Sequence, residues 1–397
     1  GSGRAGGDGV MAKLGEVCTI VSGSTPKTSV TSYWDGNIKW ITPAELNEDT
    51  FYIMDSVRHI TEEGKEKTGL SYLPTGTVIL SSRAPIGKTA IAGCEMCCNQ
   101  GFKNLICSDA IYNEYLYFFL KSKTDYLNSL GRGATFKEIS KSIVESIEIP
   151  LPEVNQQKEI AEKFKKLEQL ISLRKQQLAK LDELVKARFV EMFGDPADNV
   201  NNLPASPMTA ICQIIDGDRG KNYPKQEEFS DSGFCLFLNA KNVTAQGFSF
   251  ENCTYITEEK DALLRNGKLC RGDVVLTTRG TIGNLAFYDT SVPYENIRIN
   301  SGMVILRMNK QVVSEIFFIE QFKMQLDSIK SRIASGSAQP QLPISTMNKI
   351  EMILPPIELQ NQFAAFVERV SQQKQTVQQS LEKLELMKKA LMQEYFG

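Results

Sequence analysis

The side chains that could carry catalysis are few, and they do not converge. A single histidine, His59, leaves little room for imidazole acid–base chemistry. No G-x-G-x-x-G cofactor loop, H-E-x-x-H pair or G-x-S-x-G elbow occurs, and the only Pro-Pro, Pro355–Pro356, lacks the preceding Asp or Asn of an adenine-amino methyltransferase tetrapeptide. The stretch SRAPIGKTA at 82–90 contains the Gly-Lys-Thr that ends a phosphate-binding loop, but the first glycine of that motif would fall at Ser82. It reads instead as a strand followed by a tight turn. Cys94, Cys97 and Cys98 supply half of a zinc knuckle with no second C-x-x-C to complete it, so they read as small hydrophobes packed on strands and the metal set is none. The nine cysteines as a whole read as reduced thiols rather than a disulfide framework. The chain is expected to be non-enzymatic.

What remains are basic, amide and hydroxyl side chains on turns beside small residues, the types that grip phosphates or read base edges. In the first half these are Lys27, Lys39, Arg83, Lys88, Arg132, Thr135 and Lys137; in the second, Lys221, Lys225, Lys241, Arg279, Asn284, Ser337 and Gln339. The loops around 132–137 and 335–341 are the strongest of them, because both mix Gly, Ser or Thr with a long polar side chain at equivalent places. Arg83 and Arg279 fit a structural ion pair equally well. The formal net charge is only −2, so any contact with nucleic acid must come from local patches or be shared with a more basic partner.

The elements that would position these side chains follow from an internal repeat at an offset of roughly 200 residues. LPTGTVILSSRAPIGKTAIA (73–92) matches LCRGDVVLTTRGTIGNLAFY (269–288), aligning Gly76 with Gly272, Arg83 with Arg279 and Gly87 with Gly283. Asn99 and Gly101 match Asn300 and Gly302, and Gln157 matches Gln360. The loop LGRGATFKEI (130–139) falls opposite ASGSAQPQLP (334–343), and Phe193–Gly194 match Phe396–Gly397. Each repeat therefore reads as a globular α+β unit followed by one long helix. The expected domains are a tag or linker at 1–10, globular units at 11–152 and 195–356, and long helices at 153–194 and 357–397.

The helices announce themselves by a 4-3 spacing of apolar residues, that of a coiled-coil seam. In the first it runs through Ile160, Phe164, Leu167, Ile171, Leu178 and Leu181, with Arg174 and Arg188 as interruptions. In the second it runs through Phe363, Val367, Val370, Val377, Leu381 and Leu384, with Lys374 and Lys388 as gaps at places equivalent to the two arginines. Tandem halves related by a two-fold rotation would pair these helices antiparallel, and at 1.5 Å per residue each would span about 60 Å. That length would act as a ruler between two globular heads.

With this order in place, residues 11–397 resemble the specificity subunits of type I restriction-modification systems. SGSTPKTSVTSYWDGNIKWITPAEL (22–46) resembles the opening of one class of their target-recognition domains. RGKNYPKQEEFSDSGFCLFLNAKNV (219–243), together with GSAQPQLPIS (336–345), resembles another. Each domain ends in P-x-x-x-x-Q before its helix, at Pro152 to Gln157 and Pro355 to Gln360. The resemblance implies two tandem pseudo-symmetric α/β target-recognition domains separated by two long helices in an antiparallel coiled coil. Each domain would read one half of a bipartite double-stranded DNA site. The implied partners are two methyltransferase subunits and, in the full complex, two restriction subunits. No cofactor is expected in this chain: S-adenosylmethionine would bind the methyltransferase subunit, and ATP with Mg the restriction subunit. No apolar run approaches the roughly 20 residues of a membrane helix, and a cytoplasmic location is expected. Two alternatives remain open, a specificity subunit whose methyltransferase and nuclease are fused in one partner, and a coiled-coil scaffold with no DNA role.

Overall fold

The computed structural model describes residues 10–47, 49–83, 85–132, 137–334 and 341–397, the side chains of 332–334 excepted. Two compact units result, one made of the chain up to residue 175 with 379–397, the other of 176–378. Each long helix thus gives one half of its length to each unit.

In the first unit a five-stranded sheet runs in the spatial order Cys18–Ser22, Phe102–Cys107, Val78–Ser81, Thr89–Ala92, Tyr52–Ile53. The runs Val78–Leu80 and Ala90–Ala92 in its middle are continuously apolar because both faces are covered, while the neighbouring strand carries Lys103 and Asn104. Val78, Leu80, Ile91 and Leu105 enter one core with the helix Asn113–Ser122, whereas Ile79, Ala90 and Ala92 enter a second core on the opposite face. This is the period-2 alternation of a pleated strand, with both phases apolar. A three-stranded sheet, Arg58–Ile60, Trp34–Ile41, Cys97–Cys98, covers the second face, and Met11–Lys13 pairs with Glu148–Pro150.

The second unit repeats this plan. Its four-stranded sheet follows the order Cys212–Asp216, Met303–Met308, Val274–Thr277, Leu285–Phe287. Its three-stranded sheet is Tyr255–Ile256, Cys235–Leu238, Ile297–Ile299, and Ala205–Pro207 pairs with Glu351–Ile353. The tight turns after Val78–Ser81 and Val274–Thr277 pass through Gly87 and Gly283 at φ of 95° and 93°, a left-handed backbone that costs a β-carbon-bearing residue free energy.

Each globular part is fastened to its helix by one buried glutamine. Gln157 accepts from Tyr112 N at 2.8 Å and donates to the carbonyls of Ala110 and Pro152 at 3.0 and 2.8 Å. Gln360 accepts from Ser314 N at 3.0 Å and donates to those of Val312 and Pro355 at 3.1 and 2.8 Å. Both are fully buried, so each amide satisfies three backbone groups that water cannot reach.

The two helices, Val154–Phe193 and Ile357–Phe396, pack together antiparallel in both units. In the first unit Phe164, near the start of the first helix, stacks on Phe396 at the end of the second, with ring centroids 5.6 Å apart. In the second, Phe189 and Phe193 meet Phe363 at 5.3 and 5.8 Å. Ile160, Phe164, Leu167, Ile171, Phe363, Val367, Val370, Val377 and Leu381 are buried, while Leu178, Leu181 and Leu384 are half-buried. The periodicity did not pick out Phe189, Phe193 and Phe396 as seam residues, yet all three are buried and the first two are among the most deeply buried rings. The gap residues are also not equivalent: with Gln157 on Gln360, Lys374 falls at Ile171 and Lys388 at Val185. Their ammonium groups reach across to Asp182 and Glu168 instead, giving each unit an interhelical ion pair.

Candidate nucleic-acid interface

At one end of each main sheet, three turns are linked into a continuous rim. In the first unit Ser24 N donates to Cys98 O at 3.0 Å, Thr25 hydrogen-bonds Gln100, and Ser82 N donates to Gly101 O at 2.8 Å. The rim is closed by Arg132 and Glu138, which exchange backbone bonds of 3.1 and 3.0 Å, and by Ile139 N on Ser82 O at 3.0 Å. In the second unit a β-carbon on Gly217 would strike the Asn300 carbonyl, so these turns touch in the same way. Arg219 reaches Ser301 O at 3.3 Å, Arg279 N donates to Gly302 O at 3.2 Å, and Leu342 N donates to Thr278 O at 2.9 Å.

The matching bonds Ile139 N to Ser82 O and Leu342 N to Thr278 O align Ile139 with Leu342, and Glu138 with Gln341. The loops therefore correspond one residue away from the alignment their sequences suggest. Thr135, Ser337 and Gln339 lie outside the described residues.

Of the remaining expected contacts, Lys27, Arg83, Arg132 and Lys137 are exposed on the first rim or its flanks, and Lys221, Lys225, Lys241 and Arg279 are exposed on the second unit. Three others have internal work. Lys39 donates to Met54 O at 2.8 Å and to Cys94 Sγ at 3.3 Å. Lys88 holds the carbonyls of Leu46 and Pro43 at 2.7 and 3.2 Å, which gives the Gly-Lys-Thr stretch a structural role. Asn284 donates to Val243 O at 2.9 Å. Their donors are engaged by backbone acceptors distant in the chain.

Three rim residues carried no sequence signal of their own. Arg219 lies beside Asp216, 3.4 Å away. Glu138 bonds Arg83 Nε through one oxygen at 3.0 Å and Lys103 Nζ through the other at 3.1 Å. Burial alone would raise the Glu138 pKa, but the two cations hold it below the usual carboxylate value. Comparing Glu138 with Gln341 would have flagged the first of this pair had the loops been aligned correctly.

Among the described residues no group of three His, Cys, Asp or Glu side chains could hold a metal ion, and no helix is long and apolar enough to cross a membrane. Cys97 and Cys98 are buried on a strand, where burial raises their thiol pKa values to about 11 and about 12. Among the described residues the arrangement offers surface for contact and no convergent set of metal-ligating side chains.

The sequence profile of the type I restriction modification DNA specificity domain matches residues 8–183 and again 208–386. The type I restriction enzyme MjaIX specificity subunit of Methanocaldococcus jannaschii is 29% identical over 391 residues, spanning 90% of this chain and 85% of that protein. The MjaVIII specificity subunit of the same organism is 25% identical over 311 residues, spanning 73% and 70%. The fold resembles that of the type I restriction-modification S subunit from M. genitalium, with a TM-score of 0.58 at 16% identity over 99% of this chain and 98% of that one. It is also like a chain of a type I R-M system solved for its complex assembly and conformational transition, with a TM-score of 0.60 at 16% identity over 98% of both chains.

Proposed function

The chain belongs to the type I restriction modification DNA specificity family, and on that premise we propose that its two rims read the two halves of a split DNA site. DNA sequence recognition is the function of this family, and a specificity subunit is not itself catalytic. The observation that carries the reading is a rim built twice on the same strands with different side chains, Glu138 where the other has Gln341 and Lys103 where the other has Val304. Equal frames with unequal surfaces suit recognition of two unequal half-sites.

Adenine methylation, and cleavage where a restriction subunit joins, would be performed by partners: two methyltransferase subunits carrying S-adenosylmethionine and two restriction subunits using ATP and Mg. An adenine would be flipped out of the duplex to reach the methyltransferase. The outward faces of the long helices support docking of the methyltransferase subunits. In the first unit they expose Leu170, Leu173, Leu386 and Met387; in the second, Leu184 and Phe366 line a groove with Arg188 and Arg369. Exposed apolar side chains clustered beside charged ones are characteristic of protein interfaces.

The test is to co-express the chain with the methyltransferase subunit encoded beside it and map N6-methyladenine by single-molecule sequencing. The expected result is a split motif, two short defined halves around a fixed gap, lost when this chain is removed. Failure to bind either the methyltransferase or DNA would sink the reading and favour a scaffold.

A further inference from the structure

We propose that Arg83 and Arg279, the same residue of the repeat, contact DNA in different ways: Arg83, positioned by Glu138, reads a base edge in one half-site, and Arg279 clamps a phosphate in the other. This rests on the DNA-specificity reading above and assigns roles within it.

The equivalence of the two arginines is geometric. Leu80 pairs with Lys103 across the first sheet and Leu276 with Val304 across the second, so Lys103 and Val304 share one position. Arg83 bridges Glu138 and Arg279 bridges Gln341 through the backbone. What differs is the pair of residues around each guanidinium.

In the first unit Glu138 is held at three points. Its backbone is closed on Arg132, one carboxylate oxygen is 3.1 Å from Lys103 Nζ, and the other is 3.0 Å from Arg83 Nε. Lys103 is only 9% exposed, so this anchor is itself set in the core of the unit. Arg83 is therefore gripped at Nε alone. Its two outer nitrogens have no partner among the described residues, and its side chain is 44% exposed. A guanidinium fixed in this way offers two parallel N–H donors at a set angle, the fork that matches O6 and N7 of guanine in the major groove. Its orientation is established before DNA arrives, which lowers the entropy lost in making a directional contact.

In the second unit neither anchor exists. Gln341 carries no charge, the buried Val304 offers no donor, and Arg279 is exposed with no ion pair among the described residues. A cation without those two anchors keeps more of its rotamer freedom and gains most from a contact that tolerates many orientations, as a phosphate does.

The experiment uses the full chain in complex with its methyltransferase partner. Duplexes carry the split sequence mapped by methylation, with every single base-pair change through both halves, and affinity is followed against salt. R83K keeps the charge and loses the fork: preference at one base pair should fall roughly 10- to 100-fold while the salt slope stays unchanged. E138Q should weaken preference at that same pair, with melting temperature confirming that the unit is folded. R279A should weaken binding to all duplexes alike and make the salt slope shallower by about 1, with R279K restoring both. Full base preference in R83K, or loss of preference at a single pair in R279A, would overturn the assignment. A wild-type complex with no preference for any split sequence would overturn the functional reading as well.

Discussion

At the root of the first long helix Gln157 ties Tyr112 N and the carbonyls of Ala110 and Pro152, and at the root of the second Gln360 ties the equivalent three groups at distances that agree within about 0.2 Å. At the rims, by contrast, Glu138 and Lys103 wire Arg83 into a network that Gln341 and Val304 cannot form around Arg279. The difference follows from burial. A buried amide satisfying three backbone groups has no replacement of the same shape and donor pattern, so both copies keep it. An exposed loop needs only its closing backbone bonds, which any side chain permits, so its surface diverges.

The contrast extends below the rims, and substitutions can break or sharpen it. The largest effect is expected at Arg298, which is 6% exposed and ion-paired to Asp261, itself 7% exposed. The register Trp40 to Cys97 and Phe237 to Arg298 places an uncharged cysteine at the equivalent point of the first unit. R298A should lower the unfolding free energy of the second unit by about 3–5 kcal/mol, because the buried Asp261 carboxylate is left with Lys268 alone and the carbonyls of Asp261, Leu264 and Asn266 lose their donor, whereas C97A should cost far less. Denaturant unfolding of both variants checks this. Burial pushes the Asp261 pKa up, but Lys268 and Arg298 overcome that and hold it below normal. A lowered folded pKa stabilises above the unfolded value near ~3.9 and ceases to as pH falls through the folded one. The second unit should therefore lose stability on acidification below about pH 4, a dependence that R298A would weaken.

Next in size, Q157A and Q360A should each destabilise by roughly 2–4 kcal/mol, since three buried backbone groups lose their partner. Equal losses in calorimetry would sharpen the symmetry of the roots; a large loss at only one would break it. Smaller again, E138Q should cost about 1–2 kcal/mol, because the amide keeps one acceptor oxygen for two cations and sets an N–H group against either Arg83 Nε or the nearly buried Lys103. The corresponding Q341E should be close to neutral. The smallest effect is expected for the interhelical ion pairs, where K374A should shift stability by less than about 1 kcal/mol and the shift should shrink in high salt.

Much of this protein was legible in its sequence, for local reasons. The repeat, the 4-3 helix spacing and the matched Gln157 and Gln360 are patterns in which each residue constrains its own neighbours along the chain. They determined two α+β units, two long helices and their antiparallel pairing. The tertiary structure decided the rest, because a polar end is used up by whatever atom the fold brings to it. Lys39 and Lys88 look like surface cations until Met54, Cys94, Pro43 and Leu46 close over them. Phe189 and Phe193 join the seam because the start of the second helix meets them there, a contact more than a hundred and fifty residues away in the chain. The one-residue shift of the rim loops arises in the same way: Gly-rich sequence permits several alignments, and the bonds from Ile139 to Ser82 and from Leu342 to Thr278 select one. Side-chain type is written in the sequence, but whether a donor remains for DNA depends on its partner in space.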